Sequence, residues 1–539
     1  MKQLILSLFL GLTISFAQTP AQVKDINPGS ASSSPVELTD LNATLFFRAD
    51  DGTNGEELWK SDGTASGTVL VKDINSGAAD SSLTFLTNVN GTLFFRATDG
   101  TNGYELWKSD GTAAGTVMVK DINSGAANSF PGSLTNVNGT LFFTANDGTN
   151  GAELWKSDGT SAGTALVKII DPSTSVTILI THLTNVNGTL FFSANNGTNG
   201  TELWKSDGTA AGTVLVKDIN SGSASSAPSQ LTNVNGTLFF RATDGTNGYE
   251  LWKSDGTSAG TVMVKDINSG SANGIPYSNT DFINVNGTLF FNANNGTNGA
   301  ELWKSDGTSA GTVMVKDINS GSGGWDLYVS VNANSTLFFN ADDGINGTEL
   351  WKSDGTAAGT VLVKDIFSGS TGSDIYGLTY AGGMVYFAAN DDAGLDDYEL
   401  WKSDGTTAGT VRVADINSGT EGSYPDVFTV AGNTLFFNAG NGAGYTNYEL
   451  WALSLSTLTT VNTTDHSVLA YPVPVQETLT LDFGVHNIGT LRLHTILGNE
   501  VLHNPVASSQ AILDMQPLPS GIYLLRIETN NVQKTLKVV

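Results

Sequence analysis

The chain has 539 residues, with 25 Lys and Arg against 52 Asp and Glu and a formal charge of −27 at neutral pH, which argues against nucleic acid and anionic membrane surfaces as partners. Cysteine is absent, so disulfides, thiolate metal sites and a catalytic cysteine are excluded. With 39 % hydrophobic residues and 62 Gly, the chain has cores to bury and turns constantly, an all-β composition.

The chain opens MKQLILSLFLGLTISFAQ, a basic Lys2 followed by an apolar run from Leu4 to Ala17 with small residues at Ser15 and Ala17. This reads as a signal peptide, residues 1–17, cut before Gln18. No later stretch is long and apolar enough for a membrane span, so an exported, soluble and monomeric chain is expected.

From residue 18 to 453 one phrase recurs, as in GYELWKSDGTAAGT at 103–116. Its Trp falls at 59, 107, 155, 204, 252, 303, 351, 401 and 451, a spacing of 48–51 residues that marks a repeat architecture. In the unit Leu134–Ile170, LTNVN and TLFFTA flank Asn138-Gly139, a hairpin-turn pair, and AELWKS and TALVKII follow after further Gly/Asn/Asp turns. Four short strands per unit, apolar on both faces, predict the blade of a β-propeller. Units begin near Leu38, Leu86, Leu134, Leu183, Leu231, Phe282, Tyr328, Leu378 and Val427, and the ninth lacks a fourth strand. Val23–Asn27 is that missing strand standing alone ahead of the first unit, which predicts a nine-bladed ring closed by the N-terminal strand. An eight-bladed ring or an open superhelix is the alternative.

Residues present in every unit are expected to be structural. The Trp of ELW should pack between blades with its indole N–H on a backbone carbonyl, Asp110-Gly111 should form the turn between the third and fourth strands, and Asp121 should cap donors at a strand end. Connectivity sorts the loops onto two faces. The face carrying the second-to-third loops and the blade crossings is the variable one, and function belongs there. Its candidate ligand-binding residues are Trp325 and Tyr328, suited to stacking on a carbohydrate or gripping a peptide. In NDDAGLDDYELW, Asp391, Asp392, Asp396 and Asp397 are candidate calcium ligands, against the reading of a solvated acidic loop. No other cofactor is required.

Enzyme readings have less to stand on. His182 is the one histidine inside the repeats, so no recurring histidine site exists. The SDGT turn bears a faint resemblance to the Asp-box of sialidase propellers, but the Trp precedes the Asp. Arg48, Arg96 and Arg241 share one phase and are explained by a surface-facing strand end. Catalytic residues cannot be assigned, although a carboxylate pair in the channel would suit a glycoside hydrolase or lyase.

ELWKSDGTxxGT resembles the repeat of the ELWxxDGT family, which implies an exported bacterial β-repeat protein without naming a substrate. After a Ser/Thr-rich linker, 454–468, the segments YPVPVQETLTLDF, LRLHTILGNEVL and LPSGIYLLRIETNNVQKTLKVV suggest a small Ig-like β-sandwich at 469–539. They resemble the type A C-terminal sorting domain of type IX secretion cargo, with Val473 where that family has Asn. That resemblance implies export by the type IX machinery, then release or attachment at the outer surface. The whole chain therefore reads as a secreted or surface-displayed binding or adhesion scaffold, with a secreted carbohydrate-active enzyme as the competing class.

Overall fold

The computed structural model describes residues 19–171, 180–276, 282–391, 397–418, 421–442, 446–455, 469–471, 478–482, 490–495, 500–505, 510–515, 523–528 and 533–538. Residues 1–17, expected to be a signal peptide, and residues 456–468 of the expected linker lie outside these. The chain divides into two units, Met1–Ser454 and Leu455–Val539.

The first unit is a closed ring of nine four-stranded antiparallel blades. In the first blade, strands Val36–Leu41, Thr44–Asp50, Glu56–Ser61 and Val69–Lys72 run from the centre outward, and the first strands of successive blades touch around the whole ring. Local chemistry sets each hairpin. Asn138 and Gly139 sit at φ of 50° and 86°, the left-handed pair that a two-residue hairpin needs. At the outer turn, Asp110 Oδ1 accepts the Thr112 N–H at 2.9 Å and its hydroxyl at 2.7 Å. A Cβ on Gly115 would stand 2.1 Å from that oxygen, so only Gly fits. Asp121 caps the Gly125 N–H at 3.0 Å, as its place at the strand end predicts.

Ring closure is as the orphan strand predicts. Ala21–Lys24 pairs antiparallel with Thr446–Ser454, with Ala21 opposite Ala452 and Lys24 opposite Leu450. Val23 and Ile26 then join a core containing Phe436 of the ninth blade and Trp59 of the first. The ring is therefore nine-bladed and closed, in place of the eight-bladed or open alternatives.

Each ELW tryptophan packs between blades, but its polar handle behaves differently from the sequence expectation. The indole nitrogens of Trp59, Trp107, Trp155, Trp204, Trp252, Trp303, Trp351 and Trp401 have no acceptor among the described residues. The rings of Trp59, Trp107, Trp155, Trp303, Trp351 and Trp401 lie instead under lysines of the preceding blade: Lys72 Nζ stands 5.8 Å from the Trp107 centroid and donates to Thr116 O at 2.7 Å. Trp451 is the exception, donating to Ala439 O at 3.0 Å. The eighth blade ends its outer strand in Ala414 where the others carry Lys, so no ammonium covers that ring.

A residue type the sequence reading passed over fixes how one blade leads to the next. The Glu of every ELW is buried, Glu105 at 0 % exposure. Glu105 Oε2 accepts the Ile122 N–H at 2.9 Å and the Ser129 hydroxyl at 2.6 Å, and Oε1 accepts the Ser129 N–H at 3.1 Å, so the carboxylate gathers both ends of the crossing to the next blade. Ser33, Ser226, Ser373 and Ser423 repeat this on Glu449, Glu202, Glu349 and Glu399. Burial pushes the carboxyls of Glu57, Glu105, Glu153, Glu250, Glu301 and Glu349 up to about 7, with the donated hydrogen bonds pulling the other way. The Ser129 hydroxyl can turn to Tyr104 O at 3.1 Å and accept from a protonated Glu105, so both charge states keep their partners.

The second unit holds a three-stranded sheet (Leu469–Tyr471, Thr478–Asp482, Gln510–Asp514) and a four-stranded one (Glu500–Pro505, Thr490–Thr495, Tyr523–Glu528, Gln533–Val538). Leu479 and Leu481 in one sheet, and Leu491 and Leu493 in the other, are buried at every second position, the alternation of a sandwich.

Two outcomes follow from this architecture. Deleting Ala21–Asn27 exposes the edge of Thr446–Ser454 and removes two core residues, so the melting temperature should fall by several degrees and dimers should appear in size-exclusion chromatography; unchanged melting of a monomer would contradict closure. A glutamate pKa raised in the fold above its unfolded value gives stability that is full below about pH 4.5 and lost as pH rises through about 7. Melting should therefore be higher at pH 5 than at pH 8, and Glu105→Gln should flatten the slope; a slope unchanged by that substitution would contradict the assignment.

Candidate ligand-binding site

The innermost strands line the channel, and most carry a bulge. The pairing register shifts between Val36 and Thr39, and the residue inside the bulge adopts a left-handed backbone: Glu37 (φ 59°), Phe85 (62°), His182 (58°) and Val427 (52°). For non-glycine residues this costs about 1–2 kcal/mol each, held by the surrounding sheet. The bulge sits at the crossing face and delivers Glu37 and Val427 to the channel mouth.

Around most of the ring the inner strands are stitched alike. Asn88 Nδ2 donates to Asp40 O at 3.3 Å, and Asn136, Asn185, Asn233, Asn284 and Asn332 each donate to the carbonyl of the equivalent residue one blade back, at 3.1–3.4 Å. The run ends at the seventh blade, because the eighth, ninth and first blades carry Tyr380, Val430 and Asp40 at that position. In this irregular sector a cavity of about 570 Å³ opens at the mouth, lined by Glu37, Leu38, Tyr328, Gly377, Asp426 and Phe428 among others.

Its walls are set by specific contacts. Glu37 Oε2 accepts the N–H groups of Phe85 and Leu86 at 2.8 and 3.3 Å, which anchors the carboxylate to the second blade. A Cβ on Gly377 (φ 68°) would lie 2.6 Å from the Phe428 ring, so glycine there lets that ring approach the backbone of the eighth blade. Asp426 is exposed. Behind it Tyr376, Tyr398 and Tyr424 form a chain of rings 5.7 and 5.1 Å apart, and burial, with Asp426 adding to it, pushes the Tyr376 hydroxyl up, so it stays neutral.

The residues singled out from sequence separate here. Tyr328 stands at the mouth, 60 % exposed, its hydroxyl donating to Asp326 at 3.1 Å. Trp325 is buried instead of facing the mouth: it is 6 % exposed, stacks on Phe339 at 5.5 Å and donates its indole N–H to Glu301 at 3.0 Å, as a serine does to the buried glutamate of several other blades. Of the acidic loop, Asp392 and Asp396 lie outside the described residues. Asp391 and Asp397 face the Arg412 guanidinium at 3.6 and 3.1 Å, and burial raises the Asp397 carboxyl while Arg412 lowers it. Arg412 stands where the outer strands of the first seven blades carry Leu or Met, so the counter-charge at this pair is a guanidinium, and among the described residues no three metal-ligating side chains converge. Arg241, expected at a surface, is 2 % exposed with its guanidinium 3.6 Å from the Tyr249 centroid.

Glu37, Asp426 and Phe428 escaped the sequence reading. The available signal was the departure of ELTDL and DVFTVA from the xLTNV wording of other inner strands. Trp325→Ala should cost about 3–5 kcal/mol in denaturant melts, as for a buried aromatic that also leaves a carboxylate short of a donor, whereas Tyr328→Ala should change stability by less than about 0.5 kcal/mol. Equal losses would contradict the separation of their roles.

Residues 469–539 match the family described as the secretion system C-terminal sorting domain. Among curated proteins no sequence matches the chain. Solved structures similar to it include PorZ, described as an essential bacterial surface component of the type IX secretion system of Porphyromonas gingivalis, at 12 % identity and TM-score 0.33 over 94 % of this chain and 75 % of that one. The β-propeller domain of the trilobed protease from Pyrococcus furiosus is similar at 11 % identity and TM-score 0.31, over 62 % of this chain and 99 % of that one. A prolyl endopeptidase is similar at 11 % identity and TM-score 0.38 over 75 % of this chain, which spans 55 % of that protein's length.

Proposed function

We propose that the protein is an ELWxxDGT-type propeller exported by the type IX secretion route, and that it acts outside the cell as a binding scaffold whose ligand enters the channel mouth between the seventh and first blades. The observation that carries the reading is the break in symmetry. Nine copies of one inner-strand pattern would give a uniform channel, yet the cavity lies in the sector where Tyr380, Val430 and Asp40 end the asparagine run and where Tyr328 is exposed. The sorting-domain match at 469–539 supports delivery to the surface or medium.

A carbohydrate-active enzyme is the second reading, favoured by the two carboxylates Glu37 and Asp426 at one mouth. Glu37 is committed to two backbone donors of the second blade, which suits a fixed acceptor better than a group that must cycle its proton. Export is tested by truncation after Ser467: the shortened chain should fold yet remain in the periplasm of the native cell, while the intact chain reaches the surface or medium. Equal export of both would contradict the delivery route.

A further inference from the structure

The chemistry of the mouth narrows the ligand, on the premise that the mouth is the binding site. Its ionisable walls are acidic, Glu37 and Asp426, with Asp326 held beside Tyr328, and neither Lys nor Arg lines it. Three of its four side-chain hydroxyls are already used, and the fourth, Ser330 Oγ, has no partner among the described residues but lies out of a guest's reach. The Thr379 hydroxyl donates to Gly377 O at 3.2 Å, the Thr429 hydroxyl to Leu38 O at 3.2 Å and the Tyr328 hydroxyl to Asp326 at 3.1 Å, while Ser330 Oγ is shielded from solvent. What remains for a guest is carboxylate oxygen and the faces of Tyr328 and Phe428. A sugar brings as many acceptors as donors and would leave its acceptors without side-chain partners here. A group made only of donors, positively charged and attracted to aromatic faces, fits the surplus. The charge of −27 draws such a group toward the ring.

We propose that the channel mouth receives an organic cation, the ammonium or guanidinium group of a basic peptide side chain or of a free polyamine, between the Glu37 and Asp426 carboxylates and the rings of Tyr328 and Phe428. The carboxylates supply Coulomb attraction and hydrogen-bond acceptance, and the rings supply cation–π contact.

The full mature chain is titrated calorimetrically with tetralysine, with spermidine and with a neutral oligosaccharide, at physiological ionic strength so that diffuse attraction is screened. Saturable binding of one tetralysine or one spermidine per chain is expected. Glu37→Gln combined with Asp426→Asn should weaken it about tenfold or more, and Tyr328→Ala about fivefold. Asp62→Asn combined with Asp110→Asn, two exposed carboxylates on the other face, should leave it within about twofold. Thermal melts verify that each variant is folded. Binding of tetralysine alone assigns the site to a peptide and of spermidine alone to a free amine, and either supports the inference. Loss of oligosaccharide binding in the mouth variants, with cations unaffected, overturns the cation while keeping the mouth as the site. Cation binding that is absent, non-saturable or equally weakened by the control pair overturns the inference, and no ligand responding to the mouth variants overturns the binding reading as well.

Discussion

A buried carboxylate in each blade decides how the ring is put together. Nine sheets could stack on their apolar faces at many angles, because hydrophobic contact is non-directional. Glu105 is directional: it accepts from Ile122 at the start of the crossing and from Ser129 at its end, and so fixes where the chain leaves one blade and enters the next. Taking a carboxylate fully out of water costs several kcal/mol unless its lone pairs are filled, and the crossing can fill them in only one arrangement. The same contact closes the ring, since Glu449 of the ninth blade accepts from Ile26 and Ser33, which follow the N-terminal strand. Closure thus uses the same lock as each internal junction.

Around that lock, the other repeated residues act in series. Lys60 of the first blade donates to Gly111 O in the second, Lys72 donates to Thr116 O while lying over Trp107, and the asparagine run links inner strands at the channel. Each contact is between a blade and its neighbour, so a substitution in one blade is confined to two junctions. This leaves a sector free to diverge. Between the seventh and first blades the asparagines stop, Arg412 replaces an outer-strand Leu or Met, and the mouth acquires Tyr328, Phe428, Glu37 and Asp426. Trp325 shows how divergence is absorbed, since a large indole does for Glu301 what a serine hydroxyl does for Glu105.

Much of this was legible because the repeat made internal comparison possible within one sequence. Strand number, hairpin turns, the variable face and the closing strand follow from Asn-Gly pairs, apolar runs and the lone Val23–Asn27 segment. The glutamates were missed because a charged residue in a strand ordinarily faces water, yet their presence in all nine copies, beside a preceding position that ranges over Glu, Tyr, Ala and Thr, was a signal of burial with partners. The tryptophan nitrogens depart from expectation because the surroundings of each ring come from the neighbouring blade, as where Lys72, at the end of the first blade's outer strand, covers Trp107. Trp325 looked like a ligand platform because it lies in a divergent crossing, and only packing shows that its ring turns inward onto Phe339. The mouth itself joins residues from 37 to 429, a juxtaposition that exists only once the ring has closed.

The claim that a buried glutamate locks each crossing is tested most directly by hydrogen exchange at a single junction. In the parent chain the amides of Ile122 and Ser129 should exchange as slowly as those of the strand Tyr104–Ser109. In Glu105→Ala the Ile122 amide should exchange at the rate of local opening, while Ser129, whose N–H also reaches Tyr104 O at 3.1 Å, keeps part of its protection, with a stability loss of about 3–5 kcal/mol from the buried donors that lose the carboxylate. Protection of both amides retained in that variant, with unchanged melting, would show that apolar packing alone sets the crossing.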